Sequence, residues 1–132
     1  MAVRIQNYFA EAMGIFTIEI SSDHAEWNRF NVRLMCELQD AAGRRTGFAS
    51  TSERVAGRSV LRAESCERVR AFIYAIPESL PADRTVGRQP DFAAVLRASF
   101  DGRTVAEERI AINRWGGTSL ERIYDRTGIK HE

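Results

Sequence analysis

Hydrophobic and polar residues alternate along most of this chain, a pattern that predicts half-buried β-strands. The first strand covers residues 14–22, where one face carries Phe16, Ile18 and Ile20. The second covers residues 29–40, where one face carries Phe30, Val32, Leu34, Cys36 and Leu38. Further along we expect short strands over 46–52 and 59–62 and a turn at 64–67. Residues 68–76 are apolar on both faces, which is typical of a central strand.

Residues 92–113 predict a β-hairpin, because Asp101-Gly102 separates two alternating runs and tolerates turn conformations. A two-residue turn would point the apolar faces of the two runs to opposite sides of the hairpin. A three-residue loop around 101–103, with a bulge, keeps both faces on the same side. The register expected with this loop is Phe100 opposite Thr104, Ala94 opposite Ile110 and Arg97 opposite Glu107.

Three segments depart from the alternation. Residues 1–13 place apolar side chains at helical spacing and predict a short N-terminal helix, with an extended start as the alternative. Residues 77–90 contain all three prolines, which cannot donate to a strand ladder, so we expect a loop outside the sheet. Residues 118–127 predict a short C-terminal helix, since Thr118 and Glu121 match a capping box. The apolar face of this helix would consist of Leu120, Ile123 and Tyr124.

Strands at regular intervals without long intervening helices predict an all-β fold. We expect one domain over residues 1–132. Its predicted architecture is an antiparallel β-sandwich of about seven strands, immunoglobulin-like in general architecture. The Cys–Trp–Cys spacing of true immunoglobulin domains is absent.

The composition narrows the environment and the partners. A net charge of +1 argues against a dedicated nucleic-acid binder, which needs a basic excess. No run approaches the roughly 18 apolar residues of a membrane span. Residues 1–15 lack the apolar core of a signal peptide. For the two cysteines, Cys36 and Cys66, we expect free thiols and a cytoplasmic location, with a single disulfide in a secreted protein as the alternative.

The sequence shows no catalytic constellation and predicts a protein that is not an enzyme and uses no cofactor. Phosphate-binding glycine motifs are absent. For Gly116-Gly117, ahead of the predicted helix, the two interpretations are N–H groups presented to an anion and a turn that only changes the direction of the chain. Cys36 lies on an apolar strand face. Cys66 is expected in a turn where Glu64 and Glu67 raise its pKa, so neither cysteine predicts a reactive thiol.

One loop contains residue types that bind metals. Residues 22–28 include Asp23, His24 and Glu26, a mixed ligand set, and calcium in particular takes several carboxylate oxygens. The chain has two histidines in total, which excludes a metal site built from several histidines. The alternative interpretation is a solvated loop without a ligand.

Aromatic and arginine side chains in loops form the remaining candidate surface, because Trp and Arg are over-represented in interface hot spots. The predicted partner-binding residues are Trp115, Arg114, Leu80, Arg84 and Arg88. We therefore predict a non-catalytic binding or accessory module that acts through protein–protein contacts or through self-association at an exposed strand edge. The alternative function is a sandwich that binds an ion, calcium included, or a small ligand. The alternative role for each tryptophan is to close the end of the core.

Overall fold

The computed structural model of this chain describes residues 14–50, 52–55, 57–80 and 91–130. Within them, ten strands form two antiparallel five-stranded sheets, with the order β4-β5-β1-β7-β8 in sheet A and β10-β9-β6-β2-β3 in sheet B. The strands are β1 Gly14–Ser21, β2 Phe30–Gln39, β3 Arg45–Ala49, β4 Ser52–Val55, β5 Arg58–Cys66, β6 Arg68–Pro77, β7 Phe92–Phe100, β8 Arg103–Ile112, β9 Thr118–Asp125 and β10 Gly128–Lys130. A 3-10 helix spans Ala25–Arg29.

The predicted all-β sandwich is confirmed, and seven of the strands lie where the alternation placed them. The inner faces of both sheets form one core, because every second residue of a strand points to the same side. Its largest fully buried side chains are Trp27, Tyr124, Phe16, Phe30, Ile18, Ile20, Leu34, Leu61, Ile73, Leu96, Ile112 and Val69. Strand β6 lies at the centre of sheet B, as its apolar character predicted.

The hairpin between β7 and β8 corrects the predicted loop. Only Asp101 and Gly102 separate the two strands, and both adopt positive φ angles, 51° and 84°, which suits a tight hairpin turn. The predicted pair of Phe100 with Thr104 is wrong, because Phe100 lies opposite Arg103. Farther from the turn the register is the predicted one, with Arg97 opposite Glu107 and Ala94 opposite Ile110. A bulge at Val105 makes the two-residue turn compatible with this register. Ala98 pairs with Ala106 and Ser99 pairs with Thr104, so Val105 is an extra residue of β8 without a partner on β7.

The predicted C-terminal helix at 118–127 is wrong, because these residues form strand β9 and pair with β6. Two residues four positions apart share a face in a helix and in a strand alike, so Leu120 and Tyr124 fitted both patterns. The strand alternation was hidden by Arg122 on the inner side, whose guanidinium binds the Glu108 carboxylate at 2.8 and 3.0 Å. Thr118 forms no capping box, and its hydroxyl donates to the Ala111 carbonyl instead.

Two smaller expectations are also corrected. The predicted turn at 64–67 is absent, because β5 continues to Cys66 and only Glu67 separates it from β6. Ser65 adopts a φ of 60°, a kink that lets the chain leave sheet A and enter sheet B within a few residues. Pro77 was expected outside the sheet but is the last residue of β6, at a strand end where its missing N–H is tolerated.

Other predictions concern residues that the structure does not describe. The N-terminal helix at 1–13 lies outside the described residues, and so does most of the proline-containing segment, including Arg84 and Arg88. In the described part of the chain, no helix is long and apolar enough to cross a membrane.

Candidate functional site

Most side chains singled out from the sequence meet at one end of the sandwich. Three connections share this end: Ser22–Arg29 between β1 and β2, Glu78–Leu80 after β6, and Asn113–Gly117 between β8 and β9. We call it the helix end, because it contains the 3-10 helix. The candidate residues that it brings together are Asp23, His24, Glu26, Leu80, Arg114 and Trp115.

Arg29 joins the three connections. Its guanidinium donates to the Ser79 carbonyl and to the Arg114 carbonyl, each at 2.6 Å. It also binds the Glu26 carboxylate three residues earlier, at 2.6 Å. The side chains of Arg29 and Glu26 are only 13% and 17% exposed, so this pair is largely shielded from water. An Arg guanidinium carries five donors in a rigid fork, which allows one side chain to satisfy several acceptors at once.

The Asn113–Gly117 turn is fixed by its own hydrogen bonds. The Asn113 side-chain oxygen accepts from the backbone N–H groups of Trp115 and Gly116 at 2.9 and 2.7 Å. Gly117 donates its N–H to the Asn113 carbonyl. These bonds occupy the N–H groups of Gly116 and Gly117, and no helix follows them, which favours the turn interpretation over an anion site. Gly117 has a φ of 76°, and a Cβ there would collide with the Ala75 carbonyl oxygen.

Two of the three predicted metal ligands, His24 and Glu26, have other partners. The His24 Nδ1 accepts from the Glu26 backbone N–H, and its Nε2 lies 3.1 Å from the Arg114 guanidinium. The Glu26 carboxylate contacts both Arg29 and Arg114, the latter at 3.6 Å. Among the described residues, no group of three His, Cys, Asp or Glu side chains is arranged to hold a metal ion. A cation would have to displace two guanidinium groups, which argues against the metal interpretation of Asp23, His24 and Glu26.

The two tryptophans have different environments. Trp27 belongs to the 3-10 helix, is 1% exposed, and closes this end of the core with its side chain. Its indole N–H donates to the Gly57 carbonyl at 2.9 Å. This confirms the core-closing alternative for Trp27. Trp115 is half-buried in the Asn113–Gly117 turn. Its role in binding remains a prediction.

Exposed apolar side chains border the segments that Arg29 joins. Leu80 is 53% exposed and follows Ser79, whose carbonyl Arg29 binds. Ile76 is 51% exposed and precedes Pro77. The Pro77 ring lies close to Gly117, at the end of the turn that carries Trp115, since a Cβ added to Gly117 would be 3.0 Å from this ring. We call Ile76, Leu80 and Trp115 the apolar rim.

A cleft of about 660 Å³ lies beside the helix end, over the outer side of sheet A. Its lining includes arginines (Arg109, Arg114), acids (Asp23, Asp91) and the His24 ring, which stacks on Phe92 with centroids 4.4 Å apart. Both signs of charge line the cleft, so its electrostatics favour neither an anion nor a cation.

The two cysteines are free thiols and both are buried. Burial, with a smaller contribution from the neighbouring Cys66, raises the pKa of the Cys36 thiol to about 12. Burial likewise raises the pKa of Cys66 to about 11, opposed by a backbone hydrogen bond from Arg68 and assisted by Glu67. The carboxylate effect expected for Cys66 is thus secondary, because this residue lies in the core at the end of β5 and not in a turn.

We expect both thiols to be unreactive in the folded protein. A thiol-specific disulfide reagent at pH 8 should modify neither cysteine, since the thiolate is the nucleophile and its population is minute when the pKa lies about three or more units above the pH. In denaturant the same reagent should titrate two thiols per chain. Rapid modification of one thiol under native conditions would contradict the burial of that side chain.

Comparisons with known proteins give structural likenesses of low sequence identity. No protein-family model matches the sequence, and no curated protein matches it. Among solved structures, the chain resembles a domain of unknown function, DUF4425, from Bacteroides vulgatus, with 14% identity, a TM-score of 0.46, and coverage of 86% of this chain and 93% of that chain. It also resembles a DUF4425 family protein from Bacteroides ovatus, with 11% identity, a TM-score of 0.41, and coverage of 85% and 93%. Neither likeness assigns a role to any residue.

Proposed function

We propose that this protein is a non-catalytic recognition module that binds an apolar surface of a protein partner through the apolar rim. The observation that carries the proposal is the exposure of Ile76 and Leu80, 51% and 53%, at the end of the sandwich that also carries the half-buried Trp115. Large aromatic side chains at such positions dominate binding energy in many interfaces. Two exposed aliphatic side chains at the same end of the sandwich, Ile76 and Leu80, supply further apolar area for a partner to cover.

The supporting structure beneath the rim favours recognition because it is preorganised. Arg29 ties the segment before Leu80 to the turn that carries Trp115, and Asn113 fixes that turn from within. A surface that is already ordered loses less conformational entropy when it binds. The charged groups below the rim, Arg29 and Glu26, are paired with each other. The contact offered to a partner is therefore mainly apolar.

The ion-binding alternative has less support. His24 and Glu26 already contact backbone or guanidinium groups, and the adjacent cleft carries both signs of charge. No observation in the described residues favours a particular small ligand over the protein partner.

The test begins with affinity capture from the native cell lysate, followed by purification of the captured protein and measurement of its dissociation constant. Trp115→Ala and Leu80→Ala should each weaken binding by about tenfold or more, as expected for residues near the centre of an interface. Phe48→Ala is the matched control, because Phe48 is 56% exposed on strand β3 and lies at the other end of sheet B from the rim.

Two outcomes would overturn the proposal. One is equal binding by the wild type and both rim variants. The other is a similar loss on Phe48→Ala, which would indicate a general hydrophobic attraction and not a defined site.

A further inference from the structure

Strand β8 is the long free edge of the described sheets. The edge strands are β4 and β8 in sheet A and β3 and β10 in sheet B. Strands β3, β4 and β10 have five, four and three residues, whereas β8 has ten. Very short edge strands offer little backbone for pairing, while a long edge presents a row of N–H and C=O groups to another strand.

The hydrogen-bonding direction along β8 is fixed by two contacts. The Ala111 carbonyl accepts from the Thr118 hydroxyl at 2.9 Å, so it points away from β7. The Ala93 carbonyl, opposite Ala111 on β7, accepts from the Ser22 hydroxyl on the β1 side. Because this direction alternates along an antiparallel strand, the backbone groups of Glu107 and Arg109 also point away from β7, toward the free edge.

The Glu107 side chain is the end of a charge ladder on the outer face of sheet A. Arg58 binds Glu19 at 3.3 Å, and Glu19 lies directly opposite Arg97 on the neighbouring strand. Arg97 in turn binds Glu107 at 3.0 Å. Positive and negative charges thus alternate across the sheet and stop at Glu107.

Arg109 is an exposed charge that this ladder does not use. It lies opposite the apolar Val95, and it forms no ion pair with any residue in the described part of the chain. On an edge strand, an exposed arginine two residues from an exposed glutamate gives the edge a charge pattern that is complementary to itself when the strand is reversed.

We propose that β8 pairs antiparallel with β8 of a second copy of this chain, about a two-fold axis through Glu108. In this register Glu107 of each copy lies opposite Arg109 of the other, and their outward backbone groups bond to each other. Shifting the register by two residues either way would set Glu107 against Glu107 or Arg109 against Arg109. The charges therefore select one symmetric register among those that the backbone allows.

The remaining pairs are compatible with this arrangement. Val105 lies opposite Ala111 and Ala106 lies opposite Ile110, so both pairs are apolar. Glu108 meets its own copy at the axis, where like charges would repel. Each Glu108 carboxylate is already bound in its own chain by Arg122 through two hydrogen bonds, which offsets that repulsion.

The pairing is independent of the proposed function, because the apolar rim contains no residue of β8. The decisive variants are Arg109→Glu and Glu107→Arg, compared by sedimentation equilibrium. Each variant alone would set like charges against each other at both symmetric positions, so its dimer should be weakened by about tenfold or more. An equimolar mixture should restore wild-type affinity, because in the mixed dimer positions 107 and 109 carry two glutamates on one strand and two arginines on the other.

Arg33→Glu is the matched control, since it makes the same charge change at an exposed position on sheet B and should leave the dimer intact. Circular dichroism checks that each variant is folded. A monomeric wild type at all accessible concentrations would overturn the proposal, and so would a dimer unaffected by Arg109→Glu. Two weakened variants that do not recover on mixing would overturn the register. Loss of the dimer with intact partner binding separates this inference from the proposed function.

Discussion

Trp27→Ala is expected to lower the free energy of unfolding by about 3–5 kcal/mol, well beyond the roughly 0.5 kcal/mol of an ordinary surface substitution. Trp27 is 1% exposed, and its ring packs edge-on against Phe92 and nearly parallel to Phe30, with centroids 6.2 and 6.1 Å apart. Alanine would leave a cavity among these aromatic rings and an unsatisfied Gly57 carbonyl. Urea unfolding followed by circular dichroism measures the loss directly.

Trp27→Phe separates packing from hydrogen bonding. Phenylalanine retains much of the ring contact but cannot donate to the Gly57 carbonyl, so we expect a smaller loss of about 1–2 kcal/mol. Circular dichroism is preferable to fluorescence for this comparison, because the chain has two tryptophans and the variants remove one of the fluorophores. A loss below about 1 kcal/mol for Trp27→Ala would contradict the placement of Trp27 as the closure of the core.

The parts of the fold that were predictable are those where burial follows a period of two. In β1 and β2 the inner residues are apolar and most outer residues are polar, so the sequence alone indicates both the strand and its buried face. Strand β9 was missed because Arg122 occupies an inner position, and the glutamate that accommodates it, Glu108, comes from a strand of the other sheet. A local pattern contains no information about that partner.

The hairpin shows a different limit. The Asp101-Gly102 dipeptide favours the tightest turn, and the apolar pattern favours a register that this turn alone does not give. Both preferences are satisfied because the extra residue lies at Val105, inside β8 and away from the loop. The conflict was evident in the sequence, and so was the register of residues 92–98 with residues 106–112. We expected the additional residue in the loop and not at Val105, because valine is an ordinary strand residue and its presence does not indicate a bulge.

The candidate site was only partly predictable for a similar reason. Several of its members were predicted from residue type, but Arg29, which joins them, was not a predicted site residue. The chain separates Arg29 from Ser79 by 50 residues and from Arg114 by 85. The local signal for Arg29 was its position three residues after Glu26, a spacing that allows an ion pair on one helical turn. Its bonds to two distant carbonyls depend on the order in which the two sheets bring their strand ends together.

Arg29→Met is expected to destabilise the protein by about 2–4 kcal/mol, because methionine retains the apolar stem but leaves the Ser79 and Arg114 carbonyls and a largely shielded Glu26 carboxylate without this donor. Arg29→Lys should lie between, since one ammonium cannot reproduce the fork of the guanidinium. The control is Arg44→Met, which removes an exposed pair with Asp40 and should cost less than about 1 kcal/mol in the same urea titration.

Partner binding provides the second measurement for Arg29. If Arg29 holds the two sides of the apolar rim together, Arg29→Met should weaken binding of the captured partner even under conditions where the variant is fully folded. The loss should approach that of Trp115→Ala, because the affected segments are the ones that carry Leu80 and Trp115. A variant that is clearly less stable but binds normally would assign Arg29 to stability alone. An unchanged urea midpoint would contradict the three-way contact itself, since the loss of several shielded hydrogen bonds must lower the free energy of unfolding.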